Sequence, residues 1–251
     1  MSDAAYQKEN SVLRDAARPL SAIRDGKALL DTLDDLVERY GTVADGLPVE
    51  GLKRTLRRDR ADARRDVLKH KAVLQPERSA LRKACNRAAK WPVNQDGWKI
   101  IGSGLERTYR KGRKALAAAQ ADSTVEKLHD WRKQAKYLRH QLQILRPLWP
   151  GLIGELADQA HKLTEYLGEG HDLAVLRDKA LGSREPVADD AELSALIALI
   201  DRRRAELRDK AFVLGDRIYE EKPKAFAARF GQYWDDWRKQ ADGRQLQPRS
   251  R

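Results

Sequence analysis

The sequence predicts an all-α protein, and three observations lead to that fold class. Apolar residues recur with helical periodicity along nearly the whole chain. Alternating β-branched stretches bounded by turn residues, which are typical of strands, are missing. The chain has 251 residues. A chain of this length can bury about 70% of its unfolded surface, so a packed core of helices is expected.

Turn and breaker residues divide the chain into segments of about 12 to 25 residues, and these segments are the expected helices in order. The predicted interruptions are 41–48, 75–76, 91–97, 121–124, 146–151, 168–170, 182–186 and 222–223. Ser123 or Thr124 is expected to cap the helix that begins at Val125. Pro147 is expected to end that helix shortly after Leu145.

A weak internal repeat predicts two pseudo-symmetric antiparallel helical bundles built from a duplicated unit. Residues 20–29 align with residues 167–176, with Asp25 and Asp172 in register, and residues 52–67 align with residues 196–211. We expect a first half at 1–122, a second half at 123–242, and a disordered basic tail at 243–251. The first half is expected to lack its leading basic helix, so the chain is expected to begin inside a longer parent protein.

The charge of the chain indicates a polyanionic partner. Its 50 Lys and Arg outnumber its 38 Asp and Glu, which gives a formal net charge of +12. Nucleic acid, anionic lipid and other phosphate polymers are the partners that such a balance favours. No apolar run approaches the roughly 20 residues of a bilayer span, and no secretory signal is recognised, so a cytoplasmic protein without a membrane partner is expected. The single cysteine, Cys85, offers neither an internal disulfide nor a zinc-binding pair.

The helix expected between Val125 and Leu145 separates apolar from basic residues. Its apolar residues fall within an arc of about 80° and are expected to face the core: Trp131, Ala135, Leu138, Leu142 and Leu145. Its basic residues fill an opposite arc of about 120° that contains no acid: His129, Arg132, Lys133, Lys136, Arg139 and His140. Because aligned like charges destabilise a helix, we interpret this row as a face that an external polyanion neutralises. A solvated helix face is the alternative.

Two arginines fall within apolar stripes at positions matched by the repeat. Arg204 interrupts the stripe of residues 193–214, and Arg60 that of residues 52–67. Burying an arginine without a partner costs several kcal/mol, so each needs either an internal ion pair, with Asp25 or Asp172, or a bound anion. Both interpretations remain open. Arg64 and Arg208 lie one turn further on and are also candidate contacts.

The segment 105–119 carries a second basic row. Arg107, Arg110, Lys111 and Lys114 lie opposite Leu105, Tyr109, Gly112 and Leu116, as simple solvation of the helix predicts. Arg113 lies at the edge of the apolar stripe, where its guanidinium group can extend toward a groove. Arg110 and Arg113 belong to the site if this helix borders the same groove.

Catalysis finds little support in the sequence. His129 and His140 are about three turns apart, which is too far for a shared metal ion or a shared bond. His161 is interpreted as a helix-surface residue and His171 as a turn residue, because no motif pairs either with a nucleophile or carboxylate. Residues 168–170 match no phosphate-binding loop and are interpreted as a turn between helices. We therefore expect no enzymatic activity, no cofactor and no metal.

Two stretches resemble a known family. Residues 129–139, His-Asp-Trp-Arg-Lys-Gln-Ala-Lys-Tyr-Leu-Arg, and residues 167–176, Leu-Gly-Glu-Gly-His-Asp-Leu-Ala-Val-Leu, resemble the second half of the CHAD domain, the conserved histidine α-helical domain. Arg24 and Asp25, with Leu29 and Leu30, resemble the corresponding part of its first half. The resemblance implies two pseudo-symmetric bundles that bind inorganic polyphosphate, without catalysis, in a basic channel or groove between them. The family motif positions are matched by His129, Arg132, Lys133, Lys136 and Arg139.

The sequence departs from the family pattern at its start. Family members open with a histidine- and arginine-bearing helix, and nothing before Tyr6 matches it. Some family members are joined to a triphosphate-tunnel catalytic domain, of which this sequence shows no trace. Part of the basic wall that the family implies is therefore expected to be missing.

The leading hypothesis is non-enzymatic binding of inorganic polyphosphate, free or in polyphosphate granules, through the basic groove. The candidate contacts are His129, Arg132, Lys133, Lys136, Arg139, His140, Arg60, Arg64, Arg204, Arg208, Arg110 and Arg113. A helical RNA- or DNA-binding protein is the alternative; it shares the electrostatics but needs exposed aromatic or base-reading side chains. An enzyme acting on phosphate polymers is less supported, because no recognisable motif clusters carboxylates for Mg²⁺.

Overall fold

The computed structural model describes residues 3–41, 47, 49–69, 74–91, 97–182 and 190–245. In chain order the helices are α1 (Asp3–Tyr40), α2 (Val49–Lys69), α3 (Leu74–Ala88), α4 (Trp98–Ala121), α5 (Val125–Leu145), the 3₁₀ helix η1 (Arg146–Leu148), α6 (Pro150–Leu181), α7 (Asp190–Ile218) and α8 (Pro223–Gln245). These ranges contain no strand, which confirms the all-α prediction. Within them, no helix combines the length and the apolar character that a membrane span requires.

The predicted boundaries of α5 are confirmed. Thr124 caps the helix, since its side chain accepts a hydrogen bond from the backbone N of Lys127. The helix ends at Leu145, and Pro147 lies in the 3₁₀ turn that follows. The predicted break at 75–76 is displaced: α3 begins at Leu74, and Pro76 lies in its first turn, where a proline costs little.

The predicted interruption at 168–170 is wrong. Gly168, Glu169 and Gly170 lie inside α6, which runs unbroken over 32 residues, and His171 is therefore a helical residue rather than a turn residue. A glycine within a helix costs about 1 kcal/mol relative to alanine, which packing can offset. Glu169 is ion-paired to Arg203 at 2.7 Å, and Gly168 is covered by a side chain of α5. Residues 183–186 of the predicted break at 182–186, and residues 246–251 of the predicted tail, lie outside the described residues.

Packing divides the chain into two units, each built from two separate stretches of sequence. Unit 1 comprises Met1–Asn94 and Asp172–Arg202, and unit 2 comprises Gln95–His171 and Arg203–Arg251. The predicted halves at 1–122 and 123–242 stay a prediction. Duplication of a helical unit stays a prediction.

Unit 1 is organised around α1, which packs against α2 and α3. Leu33 of α1 and Leu52 and Leu56 of α2 are fully buried. Glu9 and Arg87 join α1 to α3 through two hydrogen bonds of 2.5 and 2.7 Å. These bonds from the Arg87 guanidinium lower the pKa of Glu9. The charge of Arg87 is thus balanced within the protein.

Unit 2 has an aromatic core around α4, α5 and α8. Tyr109 is fully buried, stacks on Phe226 with ring centroids 4.0 Å apart, and donates a hydrogen bond of 2.9 Å to the carbonyl of Ile218. Burial raises the pKa of Tyr109 to about 12. Trp131 packs so closely on Gly215 of α7 that a Cβ there would overlap its ring. This contact fixes the rotation of α5 about its axis.

Candidate functional site

Helix α5 turns its apolar side to the core, as predicted. Trp131, Ala135, Leu138, Leu142 and Leu145 are all buried, with at most 2% of any of them exposed. Six residues on the other side of the helix form what we call the α5 basic face: His129, Arg132, Lys133, Lys136, Arg139 and His140. Arg132 and Arg139 are half-buried, whereas the other four are exposed. The cation row that the sequence predicted therefore lies at the surface of unit 2.

Helix α6 runs antiparallel to α5 along one edge of this face. The rings of His129 and His171 lie 5.0 Å apart. Arg132 follows His129 by three residues on α5, and Gly168 precedes His171 by three residues on α6. Arg132 lies over Gly168, since a Cβ atom on that glycine would be 3.1 Å from Arg132 Nη2. Continuing this register by seven residues along each helix, we infer that Arg139 lies opposite His161. The two arginines therefore lie in the seam between the helices.

Among the residues that the structure describes, no carboxylate pairs with the arginines of this seam. In the part of the chain that the structure describes, Arg132, Lys133 and Arg139 form no ion pair with a carboxylate. The Nε atoms of Arg132 and Arg139 are shielded from solvent, and neither has a hydrogen-bond partner among the described residues. Leaving such a donor unsatisfied costs about 1–3 kcal/mol. An anion that reaches these guanidinium groups from outside would reduce that cost.

The remaining candidates of unit 2 have partners within the chain or stay undecided. Arg110 is ion-paired to Glu106 at 2.6 Å, and Arg113 donates a hydrogen bond of 2.9 Å to the carbonyl of Glu221. Arg208 is paired with the adjacent Asp209 at 2.9 Å. Arg204 is half-buried on α7. Ligand contacts by these four residues stay predictions.

Two candidates lie in unit 1. Arg60 is half-buried on α2, and Arg64, one turn further on, is exposed. Arg60 packs against α1, where a Cβ on Gly26 would be 3.1 Å from Arg60 Cβ. Their participation in the site stays a prediction.

The buried arginine of α7 is Arg203, the neighbour of the residue that the sequence singled out. Only 8% of Arg203 is exposed, and it pairs with Glu169 at 2.7 Å and with Glu206 at 3.3 Å. On α7, residues 203 and 204 lie on either side of the apolar stripe that contains Ile200 and Leu207. The spacing of apolar residues alone therefore does not tell which of the two arginines is buried. Because Leu199 is also buried, the centre of the buried face of α7 lies closer to residue 203 than to residue 204. An arginine in an apolar stripe was expected to have either an internal ion pair or a bound anion. Arg203 has the internal ion pair.

The sequence analysis overlooked residues of α6 and η1 that contact or extend the basic face. The sequence predicts Gly168 and His171 in a turn and Arg146 in the interruption at 146–151, and it gives Gly154 no role. The signal was present: Arg132, Arg139 and Arg146 recur every seven residues, and so do Gly154, His161 and Gly168. A seven-residue spacing keeps side chains on one side of a helix, as in helices that pack side by side. Among the described residues, no group of three or more His, Cys, Asp and Glu could hold a metal ion.

Comparison with known proteins identifies the family. The family model described as the CHAD domain matches residues 1–181. This range includes α5 and all of α6, while α7 and α8 lie beyond it. Searches of curated proteins and of solved structures found no match. Because the matched range covers well over half of the 251 residues, the chain belongs to the CHAD domain family.

Proposed function

We propose that this protein binds inorganic polyphosphate without chemically changing it, and that the α5 basic face is the principal contact surface. The observation that carries the proposal is the unbalanced charge of Arg132, Lys133 and Arg139 within the described chain. The CHAD family is associated with polyphosphate binding, which supports the choice of polyanion. The predicted location of the ligand, in a channel between two bundles, stays a prediction.

A linear phosphate polymer suits the chemistry of this face. Arginine forms paired hydrogen bonds with phosphate oxygens, and lysine contributes a compact point charge. Cations on successive turns of one helix can neutralise successive phosphates and release the counterions condensed on the polymer. By analogy with nucleic acids, the logarithm of the affinity should fall linearly with the logarithm of the salt concentration.

Reversing two charges of the face tests the proposal. We expect Arg132→Glu combined with Lys136→Glu to weaken binding of long-chain polyphosphate by about a hundredfold, because two contacts of about 1.4 kcal/mol each are lost and repulsion is added. Fluorescence anisotropy with labelled polyphosphate measures the affinity, and circular dichroism checks that helicity is retained.

The matched control changes the net charge equally on another helix of the same unit. Arg107 and Lys111 are exposed on α4 with the same four-residue spacing. Arg107→Glu combined with Lys111→Glu should weaken binding by much less than the α5 pair. Equal losses in the two variants would mean that only total charge matters, and unchanged binding in the α5 variant would exclude this face as the site. Release of orthophosphate by the pure protein with Mg²⁺ would contradict binding without catalysis.

One observation favours nucleic acid as a second candidate ligand. Tyr137 is 43% exposed on α5, on the side of the helix that carries Lys133 and His140. An exposed aromatic ring beside cations is the arrangement that single-stranded nucleic acids use for base stacking, at about 1–3 kcal/mol per base.

Tyr137→Ala separates the two ligands. If single-stranded RNA is the ligand, the variant should bind it about tenfold more weakly, because the stacking contact is lost. Polyphosphate has no bases to stack, so its affinity should stay within twofold of the wild type. Competition at equal phosphate concentration completes the test. Displacement of long-chain polyphosphate by RNA, together with the Tyr137 effect, would favour the nucleic-acid function.

A further inference from the structure

The contacts with α6 continue beyond Arg139, the last residue of α5 that matches a family motif position. Arg146 lies in η1, seven residues after Arg139 and fourteen after Arg132. It lies over Gly154 of α6 as Arg132 lies over Gly168, since a Cβ on Gly154 would be 3.2 Å from Arg146 Nε. The step of fourteen residues along α5 and η1 matches the step of fourteen back along α6. Arg146 is therefore part of the same seam.

The two glycines allow these arginines to lie close to α6. Any other residue at 154 or 168 would place a Cβ within about 3.2 Å of a guanidinium atom, closer than ordinary van der Waals contact. Each glycine also costs its helix about 1 kcal/mol relative to alanine. By contrast, Gly170 on the same helix faces open space, with nothing within 4 Å of its Cβ position.

The three arginines form a linear series along the seam. With a rise of 1.5 Å per residue, the Cα atoms of successive arginines are about 10 Å apart along the helix, and those of the first and third are about 20 Å apart. Arg146 is exposed, and within the described residues it has no ion pair and no hydrogen-bond partner. A straight row of cations of that length complements an extended anionic polymer better than a compact anion.

We propose that Arg146 is a third contact of the polyphosphate chain, in series with Arg132 and Arg139, and that Gly154 and Gly168 position the two outer guanidinium groups. This inference rests on the proposed function and adds a ligand class to it: chains long enough to span the seam. A short chain such as tripolyphosphate cannot contact Arg132 and Arg146 together, because about 20 Å separates them.

The first experiment compares chain lengths in the full-length protein. Arg146→Gln should weaken binding of long-chain polyphosphate by about tenfold, the effect of one charge-assisted contact, and should reduce the salt slope by about one unit. Binding of tripolyphosphate should change by less than twofold, because most bound molecules lie elsewhere on the face. Arg107→Gln on α4 removes the same charge and should change neither affinity more than twofold.

The second experiment tests positioning with a double-mutant cycle. Gly154→Ala should weaken long-chain binding by about threefold, a partial loss of the same contact, without lowering the melting temperature, because alanine favours the helix. In the Arg146→Gln background the same substitution should have no further effect on affinity. Gly168→Ala should behave in the same way relative to Arg132→Gln. Gly170→Ala is the control that leaves affinity unchanged.

The outcomes distinguish this inference from the proposed function. If the wild-type protein does not bind polyphosphate of any length, the proposed function fails. If it binds long chains and loses affinity in the α5 charge reversal, but Arg146→Gln binds like the wild type, only the role of Arg146 is overturned. A Gly154→Ala effect that persists without Arg146 would overturn positioning.

Discussion

Arg203 and Arg132 contact adjacent residues of α6, yet their charges are balanced in different ways. Arg203 is 8% exposed and forms ion pairs with Glu169 and Glu206. Arg132 lies over Gly168, and no carboxylate of the described chain pairs with it. The same residue type beside the same helix thus stabilises the fold in one case and leaves an uncompensated charge in the other. The difference is set by which residue of α6 each arginine meets.

The basic rows of α4 and α5 also differ in the contacts that their arginines make. The basic rows of α4 and α5 both belong to unit 2. On α4, Arg110 and Arg113 bond to Glu106 and to the carbonyl of Glu221. On α5, the arginines lie in the seam with α6 without such partners in the described residues. Arg107 and Lys111 of α4 also form no ion pair among the described residues, so the α5 row is distinguished by the shielded, unpartnered Nε atoms of Arg132 and Arg139.

The largest effect on stability is expected at Arg203. Arg203→Met should lower the free energy of unfolding by about 2 kcal/mol, because Glu169 and Glu206 lose a common counter-charge. The loss is smaller than the 3–5 kcal/mol typical of a fully buried pair, since about a third of each carboxylate side chain is exposed. Denaturant unfolding measures it.

Neutralising the acids provides the control for Arg203. Adding Glu169→Gln and Glu206→Gln to Arg203→Met should recover most of the lost stability, because neither carboxylate is then left charged without Arg203. The affinity of the folded protein for polyphosphate should stay within twofold of the wild type. A stable single variant, or one that loses binding while folded, would contradict the structural role assigned to Arg203.

The sequence predicted the parts of unit 2 that depend on local periodicity. The buried side of α5, its cap at Thr124 and its end at Leu145 follow from side-chain spacing and turn chemistry, and all are confirmed. The continuity of α6 through Gly168 and Gly170 was missed, because a glycine that breaks a helix and one that accommodates a neighbouring side chain look alike in sequence. For Gly168, the contact with Arg132 separates these two meanings.

For the candidate site, the sequence predicts which residues share a helix face but not which residues they contact. The members of the α5 basic face follow from the helical period, but their partners are long-range contacts that spacing does not reveal. The sequence singles out Arg204, whereas the structure buries Arg203, because a difference of one residue on a helix depends on which neighbours are buried. Acids from other helices decide which cations are balanced, and for Arg203 the decisive one, Glu169, is 34 residues away.

The smallest effect on stability is expected at Arg132. Arg132→Gln should change the free energy of unfolding by no more than about 0.5 kcal/mol, because no ion pair in the described chain is lost. The same substitution should weaken long-chain polyphosphate binding by about tenfold.

At a polyphosphate concentration a hundred times the dissociation constant, bound polyphosphate should stabilise the wild type by about 2.7 kcal/mol. At that same concentration it should stabilise the Arg132→Gln variant less. Thermal unfolding with and without polyphosphate measures both effects. If Arg132→Gln were as destabilising as Arg203→Met, the contrast between the two arginines would be lost, and the seam would be a structural feature rather than a binding surface.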